Sequence, residues 1–89
     1  PSIMIEFEYT ITLQEGLHAA PAVQLASTAQ RLESRVTVRN KRGKSASALH
    51  PLQLMRLFAC CGESVTVRVE GCSEKADAER LRRYFEEYL

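Results

Sequence analysis

Apolar side chains occupy every odd position from Ile3 through Ile5, Phe7, Tyr9 and Ile11 to Leu13, with Met4, Glu6, Glu8, Thr10 and Thr12 between them. A repeat of two is the period of a strand, so this segment predicts a strand with one buried and one wet face. Glu15-Gly16 breaks it. From His18 onward the period lengthens. Ala22, Leu25, Ala26, Ala29 and Leu32 recur at spacings of three and four and line one face of a helix. Pro21 fits only in a first turn, where its missing N–H has no partner to lose, and this sets the helix start at His18 or Ala19.

The pattern then returns to strands. Arg35 to Arg39 alternates, Asn40-Lys41-Arg42-Gly43 reads as a turn, and Lys44 to Ala48 alternates small apolar and polar residues. Pro51, preceded by His50, suits the opening of a short helix in which Leu52, Leu54, Met55, Leu57 and Phe58 leave little polar face. These cannot all point inward at helical spacing, so Leu52 and Met55 are expected to be exposed in part. Beyond Gly62, the residues Val65, Val67 and Val69 face one way and Ser64, Thr66 and Arg68 the other. Gly71-Cys72-Ser73 is a turn, with Ser73 a candidate N-cap and Glu74 well placed at the positive helix end. Ala78, Leu81, Tyr84, Phe85 and Tyr88 then continue at helical spacing, with Glu79–Arg83 and Arg83–Glu87 as i,i+4 pairs. The order strand, helix, strand, strand, short helix, strand, helix, with one wet strand face, predicts an α+β open-faced β-sandwich: a four-stranded antiparallel sheet covered on one side by three helices.

Length and composition narrow the function. A chain of 89 residues, 45% apolar and 26% charged, makes one domain over 1–89 and no enclosed active site. Twelve Lys and Arg against 11 Asp and Glu give a net charge of +1, which argues against a nucleic-acid interface. No apolar run approaches membrane-spanning length and no signal-peptide pattern is legible, so a cytoplasmic location is expected. Cys60, Cys61 and Cys72 do not form a disulfide framework. They read as small buried hydrophobes in a reducing compartment. With His50 they match no metal-ligand spacing, so neither metal nor cofactor is implied.

The chemistry points to His18. A histidine near a helix start is commonly a cap or a surface residue. Three features here suit a reactive one. Gly16 permits a sharp entry into the helix. The first-turn amides of Ala19, Ala20 and Ala22 offer N–H donors. The positive helix end favours an anion. An imidazole at that place can hold a phosphoryl group whose oxygens meet backbone N–H groups. Neither a carboxylate pair nor a Cys–His dyad stands at useful spacing for hydrolysis.

The segment Gly16-Leu17-His18-Ala19-Ala20-Pro21-Ala22 resembles the G-L-H-x-R-P-A motif of the phosphocarrier protein HPr, and Gly43-Lys44-Ser45-Ala46-Ser47-Ala48 resembles that family's G-K-S-A-S-A segment. The two lie in register, and the element order matches the family's βαββαβα sandwich over the whole chain. The resemblance implies a phosphoryl carrier of the phosphoenolpyruvate-dependent sugar phosphotransferase system, not a turnover enzyme. In that role His18 accepts a phosphoryl group on Nδ1 from an enzyme I-like donor and yields it to an enzyme IIA-like acceptor. It also implies a docking surface over Pro51, Leu52, Leu54, Met55 and Ala59.

Three positions depart from the family. Ala20 replaces the motif arginine, which predicts slower transfer. His50 occupies the position of a regulatory serine, so no hydroxyl is present there for a kinase. Phe58 stands where a small residue or glycine is common. Arg56, on the short helix, reads as a solvated surface residue. The alternative is a module that keeps the fold and docks on a regulator without efficient phosphotransfer.

Overall fold

The structure, a computed structural model, describes residues 3–89, without the side chain of Ile3. The expected inward placement of that side chain therefore lies outside the described residues. The elements are β1 (Ile3–Thr10), α1 (Ala19–Gln30), β2 (Arg35–Arg39), β3 (Ser45–Ser47), α2 (Pro51–Met55), β4 (Ser64–Gly71) and α3 (Glu74–Tyr88). The sheet is antiparallel throughout, in the order β1-β4-β2-β3. The predicted α+β open-faced sandwich is the observed fold.

The alternating strands explain the layering. Val36 and Val38 of β2 and Val65, Val67 and Val69 of β4 are buried, while their neighbours reach the other face. The register sets Val38 opposite Val67 and Val36 opposite Val69, so β-branched side chains stack across the two central strands. Leu25, Ala22 and Ala29 of α1, Leu54 and Leu57 around α2, and Leu81 and Phe85 of α3 complete one core with them. Phe85 lies edge-on to Phe7 and Tyr9, at centroid distances of 6.0 and 5.4 Å, which fixes α3 against β1.

Strand β1 is shorter than its alternation, which runs on to Leu13. The side chains keep the pattern, and Ile11 is buried. What changes is the partner. The Ile11 N–H donates to the Glu63 carbonyl, and the amides of Thr12 and Leu13 both donate to the Leu89 carbonyl beyond α3. Apolar periodicity outlasts the ladder because the core extends past the sheet edge. Ser73 does precede α3, but its hydroxyl makes no capping bond and instead donates to Glu33 Oε2 at 2.9 Å. Of the two expected surface pairs, Arg83 meets Glu79 at 3.5 Å; among the described residues no ion pair joins Arg83 to Glu87.

The cysteines correct the sequence reading. Cys60, Cys61 and Cys72 are free thiols and all exposed. They lie in the α2–β4 connection and the β4–α3 turn, at positions that face away from the core.

One buried polar contact ties α3 to the α1–β2 connection. The Asp77 carboxylate, at the start of α3, accepts the Ser34 backbone N–H at 2.9 Å, with both residues buried. Asp77→Ala strands that donor and is expected to cost about 1–3 kcal/mol. Asp77→Asn, which keeps an acceptor oxygen, should cost less, and paired thermal denaturation curves check the order.

Candidate functional site

The site is built where the loop after β1 meets the loop after α2. Gly16 N–H donates to the Leu13 carbonyl at 2.9 Å, and the next amide, that of Leu17, crosses to the Ala59 carbonyl at 2.9 Å. Gly16 adopts φ +71, and a Cβ there would lie 2.5 Å from the Ala59 oxygen. Glycine is thus required twice, for the left-handed backbone and for the close approach. Leu17 is buried, which points the next residue outward.

His18 is the N-cap of α1, in extended conformation, and its carbonyl accepts the Ala22 N–H at 3.0 Å to begin the helix. Its side chain makes no capping hydrogen bond and keeps 40% of its exposure. The ring is therefore neither buried nor consumed by the helix start. Nε2 faces the Glu15 carboxylate at 3.9 Å, beyond hydrogen-bond range.

The amides behind it are not equivalent. Ala19 and Ala20 occupy the first two helical positions, exposed, where no preceding turn supplies an acceptor. Ala22 differs from expectation: its N–H is engaged by the His18 carbonyl, one residue too far into the helix to remain free. Pro21 has no N–H. The available donors reduce to two. No acidic side chain occupies the first turn, and the carboxylate beside the helix end is that of Glu15, facing the His18 ring.

A shallow cleft of about 280 Å³ adjoins the ring, lined by Glu15, Leu17, His18, Met55, Phe58, Ala59 and Cys60. Its far wall is set by a polar network. The Leu57 carbonyl accepts from Asn40 Nδ2 and Arg42 Nη2, each at 2.9 Å. Asn40 Oδ1 accepts the amides of Arg42 and Lys44, closing the β2–β3 turn. Glu63 accepts the Cys60 N–H at 2.8 Å and pairs with Lys41 at 2.9 Å. The Cys60 amide, then Lys41, hold the Glu63 carboxyl at a pKa of about 2, well below the usual carboxylate range. A larger cleft of about 460 Å³ opens at the other end of α1, between Ala29, Leu32 and Leu49, remote from His18 by position on the helix.

The expected docking residues divide. Leu52 is exposed, and Pro51 and Met55 are half-buried. Leu54 and Ala59 are buried and do not belong to a surface. Leu54 completes the core from α2, and Ala59 is backed by Gly16 and Leu17. Phe58, not assigned to that surface by the sequence, is 71% exposed. Helical spacing would carry Phe58 inward beneath Leu54. The helix instead stops at Met55, with Arg56 as an exposed C-cap, and Phe58 adopts φ +50, turning its ring outward. A left-handed conformation costs a non-glycine residue about 1–2 kcal/mol. The sequence signal was that Phe58 stands where the family commonly has a small residue or glycine, which a left-handed backbone favours. His50 is the exposed N-cap of α2 and makes no capping bond.

Fold and site together define a class: a small open-faced sandwich that presents a part-exposed histidine at the tip of its first helix. Residues 5–87 match the model of the family described as the PTS HPr component phosphorylation site. The chain belongs to the HPr family of phosphotransferase-system phosphocarriers. It is 37% identical over 78 residues to the phosphocarrier protein HPr of Vibrio cholerae, covering 88% of this chain and 91% of that one. It is 38% identical over 76 residues to the multiphosphoryl transfer protein of Xanthomonas campestris, covering 85% of this chain but only 9% of that protein. The crystal structure of HPr from Bacillus anthracis superimposes with a TM-score of 0.84 at 26% identity, covering 92% of this chain and 96% of that one. The HPr relatives are phosphocarrier proteins rather than turnover enzymes. No helix among the described residues is long and apolar enough to cross a membrane.

Two measurements probe the supports of the site. Gly16→Ala and Gly43→Ala both place a side chain at positive φ, but only the first meets backbone; a Cβ on Gly43 meets nothing within 4 Å. Gly43→Ala is expected to cost about 1–2 kcal/mol, and Gly16→Ala clearly more, read as the difference in melting temperature. Glu63 has a folded pKa below its ordinary 4.5, so it favours the folded state above that value. That contribution is lost as pH falls from about 4.5 towards about 2. Glu63→Gln should flatten the stability–pH curve within that window and leave its slope at neutral pH unchanged.

Proposed function

We propose that His18 carries a phosphoryl group between two protein partners, an enzyme I-like donor and an enzyme IIA-like acceptor. In this reading residues 1–89 act as a single module in the cytoplasm. The observation that supports it most is the state of the His18 ring, part-exposed at the N-cap of α1 and free of any capping bond. The Nδ1 lone pair forms the bond to phosphorus as the donor's bond to phosphorus breaks, its electron pair returning to the donor. The reverse exchange loads the acceptor. The exposed amides of Ala19 and Ala20 receive phosphoryl oxygens, helped by the partial positive charge of the helix end.

Ala20 sets the rate in this reading. A hydrogen bond to a charged group contributes about 1.5–3 kcal/mol, and a methyl group supplies none of it. Converted at the usual exponential dependence, the deficit in transfer is about ten- to a hundredfold.

Phosphoenolpyruvate and the enzyme I of the same organism are expected to add one acid-labile phosphoryl group, detected by mass. His18→Ala should abolish it, and Ala20→Arg should accelerate it by about ten- to a hundredfold. Absence of labelling in the unaltered chain would leave the other reading, a module that docks on a regulator without transfer, as the one supported.

A further inference from the structure

We propose that Glu15 is a positioning residue for transfer at His18: its carboxylate accepts the Nε2–H, which leaves Nδ1 as the nitrogen with the free lone pair. The inference rests on the phosphocarrier reading of His18 and adds the group that governs the ring's proton. A neutral imidazole carries its proton on either nitrogen, and the hydrogen bond made at one of them decides which. Here Nε2 is the nitrogen that faces a carboxylate, at 3.9 Å.

The backbone brings the two side chains together. Gly16 turns the chain at φ +71; its N–H donates to the Leu13 carbonyl and its own carbonyl accepts the His18 N–H at 3.0 Å. Glu15 and His18 thereby converge on one cleft. Among the described residues no lysine or arginine lies within ion-pair distance of Glu15. Its side chain, 79% exposed, is free to swing onto Nε2, and bonds of this kind commonly tighten only once the reacting group is bound. The other titratable side chain lining the cleft is the Cys60 thiol, which donates to the Phe58 carbonyl at 3.4 Å. The positive end of α1 opposes a cationic ring, whereas Glu15 and the phosphoryl oxygens favour one.

The bond changes show what the carboxylate supplies. As Nδ1 bonds to phosphorus and the donor's bond breaks, the ring keeps its Nε2 proton and becomes a cation. On onward transfer the N–P electron pair returns to Nδ1, and the ring departs as neutral imidazole. A ring stripped of that proton has to depart as imidazolate, a far poorer leaving group. The phosphoryl group sits on the nitrogen away from Glu15, so the carboxylate meets the ring's positive charge first.

The test labels the full chain with phosphoramidate, which gives its phosphoryl group to an imidazole nitrogen with ammonia leaving and needs no partner protein. His50→Gln leaves His18 as the one imidazole. NMR then reads the ratio of Nδ1 to Nε2 label, which Glu15→Gln should lower by about threefold, the size of an exposed ion pair. Loss of the Nδ1 phosphoryl group should slow as rising pH strips Nε2, and Glu15→Gln should move that fall to lower pH by about half a unit. Glu15→Asp should recover part of both changes. An unaltered ratio, or a pH profile that does not move, in a chain that enzyme I labels would overturn the role of Glu15 and leave the carrier reading intact. If the unaltered chain takes phosphate from phosphoramidate but none from enzyme I, the carrier reading fails and this inference fails with it.

Discussion

The carbonyl of Ala59 is the joint on which the site depends. It accepts the Leu17 amide at 2.9 Å, and the bare α-carbon of Gly16 lies against it. One backbone hydrogen bond of this kind contributes only about 1 kcal/mol net, yet it locks two loops far apart in sequence. On one side the next residue is His18; on the other the preceding residue is Phe58. The His18 ring and the aromatic wall of its cleft are therefore set by the same contact. The polar network of Asn40, Arg42, Lys41 and Glu63 braces the second loop from behind. That is why a buried asparagine and a strongly acidic glutamate stand at a place where neither touches the histidine.

The electrostatics of the site are unusually sparse. A helix end offers roughly half an elementary charge and about 0.3–1 kcal/mol to an exposed anion. A full guanidinium hydrogen bond offers about 1.5–3 kcal/mol. With Ala20 in the first turn, the chain relies on the weaker of these and on two amides rather than three, because the Ala22 N–H closes the helix. In the proposed carrier role, a phosphoryl group on His18 would be held only loosely by this chain's own groups.

Much of this architecture was written plainly in the chain. The period-two runs at Ile3–Leu13, Arg35–Arg39, Lys44–Ala48 and Val65–Val69 marked all four strands, and the spacing from Ala22 to Ala29 marked the face of α1. His18 stood out from its neighbours: a glycine to turn the backbone before it and a proline that fits only a first turn after it. Other features were misread for identifiable reasons. The cysteines are small and apolar by type, but exposure follows from lying in connections, not from chemistry. Leu54 and Ala59 resembled docking residues by position in the family's patch, but Leu54 turns into the core from α2 and Ala59 is covered by Gly16 and Leu17.

The amino-acid order by itself determined the strands and a helix start at His18 or Ala19, because these follow from local periodicity and backbone sterics, while His18 as phosphoryl-accepting candidate rested also on the resemblance of Gly16–Ala22 to the family motif. Tertiary structure alone decided where β1 exchanges one partner for another and that Phe58 faces outward. These depend on hydrogen bonds between segments distant in sequence, such as Leu17 to Ala59 and Asn40 to Leu57. A pattern of apolar positions records which side chains avoid water, whereas such bonds record which loops meet.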